Sequence, residues 1–380
     1  MENKLFRLKN QIKHYEWGSR ELLPQFLNIE NNKGEPCAEM WMGTHDLSPS
    51  QTEVNGDLIN LTEISGELPF LFKLLAVEKP LSIQAHPNKA QAEEGFKREE
   101  SRGLSIKNPT RNYRDKNHKP EILCALSSFT LMAGFREADR ICVSLKELLL
   151  TAPPLKEIIS PLLRALEADS LSSFYHILCG LSRIEREYLS TFIREKDIAR
   201  EGAISQTQWD LMKDFASQYP GDPAILSPLF LNIFTLQPGQ AVFIPSGVLH
   251  AYLSGFGVEL MASSDNVLRG GLTPKHIDTG ELMNILYFVP FIPQIITPPS
   301  STAWFCYNTP CGDFSLSMMK GEGREKAFPV KGPVICIITE GRLSAGNEIF
   351  RKGESFYLPQ EDAAYMFNGN YSLYAASSGG

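Results

Sequence analysis

Four short segments hold the side chains most able to do chemistry in this chain: "SIQAHP" at 82–87, "NHKPE" at 117–121, "PSGVLHAY" at 245–252 and "NVLRGGLTPK" at 266–275. In a strand, side chains alternate between faces, so residues two apart point the same way. Ser82, Gln84 and His86 would then share one face, Lys119 and Glu121 a second, and His250 and Tyr252 a third. If the three faces line one interior, Gln84, His86, Glu121 and His250 converge as two nitrogen and two oxygen donors. Such a set suits zinc or another borderline divalent ion. A neutral glutamine leaves the site less negative than a second carboxylate would, and the metal more electrophilic. One histidine in a β protein is ordinarily packing or surface; the combination carries the reading.

The stretch "GQAVFIPSGVLHAY" at 239–252 separates the turn from the ring. Gly239, a five-residue gap and Pro245 precede Gly247 and His250, and the same gap separates Gly353 from Pro359 in "GESFYLPQEDAAY". Five residues beyond Pro245 stands His250; five beyond Pro359 stands Ala364. Aligned this way, two related β modules share a structural frame, and the imidazole is an addition to the first.

The elements that must position these residues follow from length and texture. A chain of 380 residues predicts two or three domains. Hydrophobic residues at 43% and charged residues at 21% are ordinary for a globular protein, and a net charge of −7 argues against a nucleic-acid or anionic-membrane surface. It leaves room for a small anion, which needs only a few local cations. The N-terminus lacks a secretory pattern, no apolar run approaches membrane-spanning length, and seven scattered cysteines suggest neither a disulfide framework nor a paired zinc motif. A reducing cytoplasm is the simplest compartment.

Residues 1–135 read as short strands and turns, with helix then loop near 88–112. From 136 to 222 apolar residues recur at three- and four-residue spacings, a helical texture with Pro153, Pro154 and Pro161 placed near helix starts. Strand texture then returns. The expected organisation is mainly β: a discontinuous β domain at 1–135 and 223–297, an inserted helical domain at 136–222, and a second β domain at 298–380 that lacks the metal histidine. The proline-rich "VPFIPQIITPPSS" marks the second boundary.

The pattern GxxxxxPxGxxH resembles the second motif of the cupin superfamily, jelly rolls in which this histidine binds a metal inside the barrel. A more specific resemblance lies in "AEMWMGTH" (38–45), "PLSIQAHPNK" (80–89), "NHKPE", "PSGVLHAY" and "SSDNVLRGGLTPKHID" (263–278). In this order they are similar to the successive signatures of type I mannose-6-phosphate isomerases, as is "YEWG" at 15–18. The helical insertion and C-terminal β domain match that family's architecture. The resemblance implies a monomeric cytoplasmic isomerase with no nucleic-acid or membrane partner. It also implies one zinc per chain on Gln84, His86, Glu121 and His250, and a sugar phosphate as substrate.

That family interconverts mannose 6-phosphate and fructose 6-phosphate through an enediol(ate), which requires an electrophile near O1 and O2, an acid/base group and cations for the phosphate. The metal would act as a Lewis acid, or serve only to hold three strands together. Arg269 matches the family's active-site arginine; a permanently charged guanidinium suits electrostatic stabilisation rather than proton transfer. Lys275 serves the same cleft or is a surface lysine. Glu259, Lys119 and His118 are the candidates for proton transfer, with Glu259 expected on the strand after His250, where burial would raise its pKa; orienting a ligand is its alternative role. Ser82, Lys89, Lys275 and Tyr252 are the candidates for substrate binding, with Arg269 also available to the phosphate. Glu39, Trp41 and His45 are expected to support the site from behind rather than wall it, and His176 to pack in the helical domain. Two other functions remain. A different metal-dependent cupin enzyme, such as an iron oxygenase, fits Gln84 and the cationic "RGGLTPK" poorly. A non-catalytic sugar-phosphate-binding cupin would be expected to have lost Arg269 or a ligand, and neither is missing.

Overall fold

Seven strands frame the residues singled out above: β1 (Phe70–Val77), β2 (Ile83–Ala85), β3 (Glu121–Ala125), β4 (Phe129–Phe135), β5 (Ala241–Ile244), β6 (His250–Ala262) and β7 (Leu268–Gly271). The structure is a computed structural model that describes residues 5–168, 170–196, 202–300, 302–330, 332–359 and 364–379. Among the described residues no helix is long and apolar enough to cross a membrane.

The thirteen-residue strand β6 organises the jelly roll. Its first half pairs with β4 and β2, so that Ala133, His250, Gln84 and Arg269 form one cross-strand row that ends on β7. Its second half pairs with β3 and β1, giving a second row of Leu123, Glu259, Lys73 and Trp41. Between the halves the register shifts at Tyr252–Ser254, and Gly255 adopts a φ of 130°. The strand therefore bends from one layer into the other. Glu259, expected on the following strand, lies on the same strand as His250, because a bulge and a glycine replace the turn.

Strand alternation divides the side chains among three cores. The outward residues Ile83, Ala85, Met132, Leu249, Ala251 and Leu268 pack with the helical insertion. Ile122, Cys124, Phe72, Leu74, Val258 and Leu260 face the C-terminal β domain, meeting Leu316, Ile335, Ile337 and Tyr374. Leu75, Leu123, Phe129, Leu131 and Val242 remain between the layers, beside the polar site. Each sheet of the jelly roll thus has its outer face covered, one by helices and the other by a second sheet.

The insertion contributes amphipathic helices that include Ala138–Thr151, Lys156–Glu167, Arg183–Glu195 and Gln206–Gln218. Pro153 and Pro154 begin a short 3-10 turn as expected, but Pro161 sits inside the helix Lys156–Glu167. That turn leads straight into the helix and moves its start upstream. The lost backbone bond is offset by burial of Ile158, Ile159, Leu162, Leu163 and Leu166. Ahead of the insertion, the helix Lys89–Ser101 starts on a capping box between Asn88 and Gln91, directly after His86 and Pro87.

In the C-terminal domain, strands Val334–Ala345, Ser355–Leu358 and Asn370–Ser378 form the centre of its sheet, and the N-terminal Phe6–Arg7 pairs with Tyr357 and Phe356 at its edge. Gly239 and Gly353 have φ values of 85° and 87°, and each leads into a four-residue strand, Ala241–Ile244 and Ser355–Leu358. The next strands begin at His250 and Ala364. The backbone matches the spacing repeat on both sides; residues 360–363, just after the second proline, lie outside the described residues.

A Cβ on Gly255 would lie 2.7 Å from Phe129 Cα and from Ser128 O, in addition to the strain of its positive φ. Gly255→Ala is expected to destabilise the protein by about 2 kcal/mol, measured as a fall in denaturation midpoint. An unchanged midpoint would show that the bend tolerates a side chain.

Candidate active site

His86, Glu121 and His250 come together in the interior, their ligand atoms all within 4.8 Å of one another. His250 enters from the start of β6, Glu121 from the start of β3 in the opposite layer, and His86 from the residue after β2. His86 Nε2 lies 3.3 Å from one Glu121 oxygen and His250 Nε2 lies 3.2 Å from the other. Each ring is turned by its second nitrogen. His86 Nδ1 donates to the Asn266 carbonyl at 2.7 Å, and His250 Nδ1 donates to the Val248 carbonyl at 3.0 Å. A carbonyl only accepts, so in the neutral rings Nδ1 carries the proton and Nε2 carries the lone pair. Both Nε2 atoms are buried and have no hydrogen-bond partner. Two lone pairs and a carboxylate facing one point form the donor set of a divalent cation, with Nδ1–H bonds fixing the rings as metal-site partners do.

The charge state of the cluster agrees with that use. Burial, reinforced by the Lys119 ammonium, pushes the His86 imidazole down to about 4, which leaves it neutral near pH 7. Burial would raise the Glu121 carboxyl, but the Lys119 ammonium at 3.0 Å leads the opposing causes, and the group lies well below its ordinary value. Gln84 is flanked in its row by His250 and Arg269, so its side chain emerges on the face that carries both. Gly247, with a φ of 77°, donates its N–H to the His86 carbonyl at 2.8 Å. The proline–glycine turn therefore anchors a ligand from another segment besides aiming His250.

Beside the cluster lies a buried ionic group that the sequence reading found only in part. Lys73 Nζ is 3.4 Å from Glu259 and 3.9 Å from Glu39, and it sits 5.1 Å from the centre of the Trp41 ring. Trp41 Nε1 donates to Glu39. Burial alone would lower the Lys73 ammonium, but the charges of Glu39, Glu259 and Glu121 raise it above its ordinary value. Burial, followed by the charge of Glu121, raises the Glu259 carboxyl, while Lys73 and Lys119 oppose that rise. Tyr252 donates to Glu121 at 3.4 Å and is raised by burial first and by Glu259 and Glu121 next. A buried ion pair commonly returns no more stability than apolar residues of the same volume, whereas breaking one costs about 3–5 kcal/mol. Packing alone does not call for this group. A single lysine in the apolar strand "FLFKLLAV" was the available signal for Lys73.

On the other side lie cations. Arg269 is half-buried, and burial first and Arg114 second lower its pKa; burial, Arg269 and Arg114 do the same to Lys275, in that order. Arg114 acts on both and Arg269 acts on Lys275, so the three cations stand close together and can attract an anion. Arg114 was missed in the sequence because it stands among other charged residues in "TRNYRDKNHKP". His45 Nε2 lies 3.2 Å from Asp265, and its ring meets that of Trp41 edge-on at 4.9 Å.

Other expected residues lie outside the buried cluster. His118 turns to Asp313 of the C-terminal domain at 2.8 Å, because its neighbour Lys119 takes the inward direction. Lys89 is exposed at the start of its helix and bonds Asn117, and Ser82 is half-buried just before β2. His176 is exposed rather than packed. A cavity of about 570 Å³ between the jelly roll and the C-terminal domain, lined by Phe26, Phe256, Met318 and Tyr374, contains none of the cluster.

Removing one donor should empty the site. His250→Ala is expected to lower bound divalent metal from about one per chain to a small fraction, with the circular dichroism spectrum unchanged. Full metal retention by the variant would remove His250 from the ligand set.

Comparison with known proteins agrees with this geometry. The family model for the catalytic domain of type I phosphomannose isomerase matches residues 5–138. The mannose-6-phosphate isomerase of Escherichia coli (strain K12) is 34% identical over 390 residues, covering 97% of this chain and 98% of that protein. The human mannose-6-phosphate isomerase is 35% identical, covering 90% and 89%. A crystal structure of zinc-bound mannose 6-phosphate isomerase superposes with a TM-score of 0.85 at 31% identity, covering 98% of this chain and 99% of that one. A mutant of phosphomannose isomerase from Salmonella typhimurium superposes with a TM-score of 0.87 at 31% identity over the same shares. With the whole length matched and the buried donors in place, the chain belongs to the type I mannose-6-phosphate isomerase family.

Proposed function

We propose that this chain is a zinc-dependent aldose–ketose isomerase that interconverts mannose 6-phosphate and fructose 6-phosphate through an enediol(ate). The observation that carries the reading is the pair of buried, unpartnered Nε2 atoms facing Glu121 inside a member of this family. Gln84, His86, Glu121 and His250 would hold one zinc. When bound, zinc supplies Lewis acidity for the sugar oxygens.

The remaining work falls to the chain's own groups. Glu259 is our assignment for the proton relay between C1 and C2. Burial raises its affinity for a proton, and Lys73 and Lys119 keep its anion accessible, which suits a group that must take and return the same proton. Lys119 bonds Glu121 at 3.0 Å and is the second candidate. Arg269, permanently charged and beside Gln84, would stabilise the negative oxygen of the enediolate. Lys275 and Arg114, with Arg269, supply the cations for a phosphate dianion, and Ser82, Lys89 and Tyr252 remain candidates for contacts along the sugar. The assigned substrate is a small sugar phosphate and the partner set includes neither nucleic acid nor membrane. A monomer in the cytoplasm, divided into domains at 1–135 with 223–297, 136–222 and 298–380, completes the reading.

A coupled assay on mannose 6-phosphate, run with metal analysis of the same sample, tests the proposal. Activity should vanish on treatment with a strong chelator and return with zinc; activity surviving complete metal removal would sink the zinc assignment. Arg269→Ala should lower kcat by at least ~100-fold with zinc still stoichiometric. A change confined to KM would make Arg269 a substrate anchor instead.

A further inference from the structure

Asn266 is fully buried in the segment between β6 and β7, and both its side chain and its backbone are committed. Its Nδ2 donates to the carbonyls of Asp115 at 2.9 Å and Asn117 at 2.8 Å. Its Oδ1 accepts from the backbone N–H of Arg114 at 2.7 Å and of Asp115 at 3.2 Å. Its own carbonyl accepts from His86 Nδ1 at 2.7 Å. Asp115 completes the knot: its carboxylate accepts from Asp265 N–H at 2.7 Å, from Asn117 N–H at 2.8 Å and from Ser264 Oγ at 2.9 Å. Ser264 Oγ accepts in turn from Asn266 N–H at 3.2 Å.

Three site-bearing segments meet at this one residue. Residues 114–117 run directly into Lys119 and Glu121, residues 264–266 run into Arg269, and the third partner is the ring of His86 itself. An amide is the side chain that satisfies such a junction, because it donates to two carbonyls and accepts from two N–H groups at once. The shape-matched carboxylate would set oxygens against the carbonyls of Asp115 and Asn117. An ordinary loop tie requires none of the link to His86.

Resting on the isomerase reading above, we infer that Asn266 is a positioning residue that couples the metal ligand His86 to the loop carrying Arg114 and Lys119. Its carbonyl holds His86 in the Nδ1–H form, and its side chain sets where that carbonyl stands relative to the loop. Partners of metal-ligating histidines contribute about 10–100-fold in metal affinity or activity. Asn266 should contribute to both, because one residue serves both segments.

The test uses full-length wild type, Asn266→Asp, Asn266→Ala and Ser264→Ala, with two readouts. Zinc affinity is measured by competition with a chromophoric chelator, and kcat and KM for mannose 6-phosphate are measured at saturating zinc. Both Asn266 variants should bind zinc about 10-fold more weakly or worse, and should keep at least a ~10-fold deficit in kcat/KM after zinc is saturating, with Asp the more damaging. Ser264→Ala trims one strut and should fold if the Asn266 variants do not; it should show the same two deficits at about three-fold. A role confined to fold stability would lower the denaturation midpoint and leave both readouts of the folded protein unchanged. A folded Asn266 variant with either readout at the wild-type value overturns the assignment, and so does a wild-type Ser264→Ala if neither Asn266 variant folds. Wild-type protein that is fully zinc-loaded yet inactive on mannose 6-phosphate would instead overturn the isomerase reading, and zinc affinity would still decide the role of Asn266 toward His86.

Discussion

A carboxylate buried as deeply as Glu121, at 1% exposure, requires compensation for every solvent contact it has lost. Lys119 supplies a cation at 3.0 Å and Tyr252 a hydroxyl at 3.4 Å, while the imidazoles of His250 and His86 stand at 3.2 and 3.3 Å. The rest of the protein fixes the two rings beside it. The carbonyls of Asn266 and Val248 hold the rings from behind. The turn at Gly247 holds the His86 backbone, and the paired strands hold Glu121 and His250 in opposite layers.

That demand gives the two flanking domains a physical role. A jelly roll with polar groups between its layers has given up part of its central core and must be stabilised through its outer faces. The helical insertion covers the layer that bears Gln84, His250 and Arg269, and the C-terminal sheet covers the layer that bears Glu121, Glu259 and Lys73. Ile83 and Ala85, on either side of Gln84, point into the helical core, as do Leu249 and Ala251 around His250. Ile122 and Cys124 point toward the C-terminal domain from the strand that begins at Glu121. Tyr307 and Tyr374 reach across that seam to place their hydroxyls 3.3 and 3.4 Å from Cys124 Sγ. Ligand geometry is thus backed by packing on both sides of the site.

Much of the site was legible because its information is local. Alternation put Gln84 with His86 and Lys119 with Glu121, and the glycine–proline frame predicted a turn before His250. Gly239 and Gly353 have nearly the same φ, so the frame begins with the same backbone conformation in both places. Less legible were residues whose role depends on a distant partner. His118 and Lys119 are neighbours, yet only Lys119 turns inward, because Asp313 arrives from the C-terminal domain to take the other side. Glu259 was expected on a separate strand, since a bulge followed by Gly255 bends a strand without leaving a turn signature. Pro161 was expected near a helix start because a 3-10 turn that runs into a helix conceals where the helix begins.

Residue chemistry, spacing and face were properties of the chain alone: two imidazoles, a carboxylate and an amide on strands, with cations in a glycine-bounded segment. Register and charge state were not. Lys73 became part of the site because β1 lies beside β6, so that Glu259 is its cross-strand partner. Arg114 joined the cationic rim because Asn266 ties its loop to a segment 152 residues away. The reason is the reach of the forces involved. Backbone sterics and side-chain alternation act over a few residues, whereas burial and Coulomb coupling depend on which segments packing brings within a few ångströms.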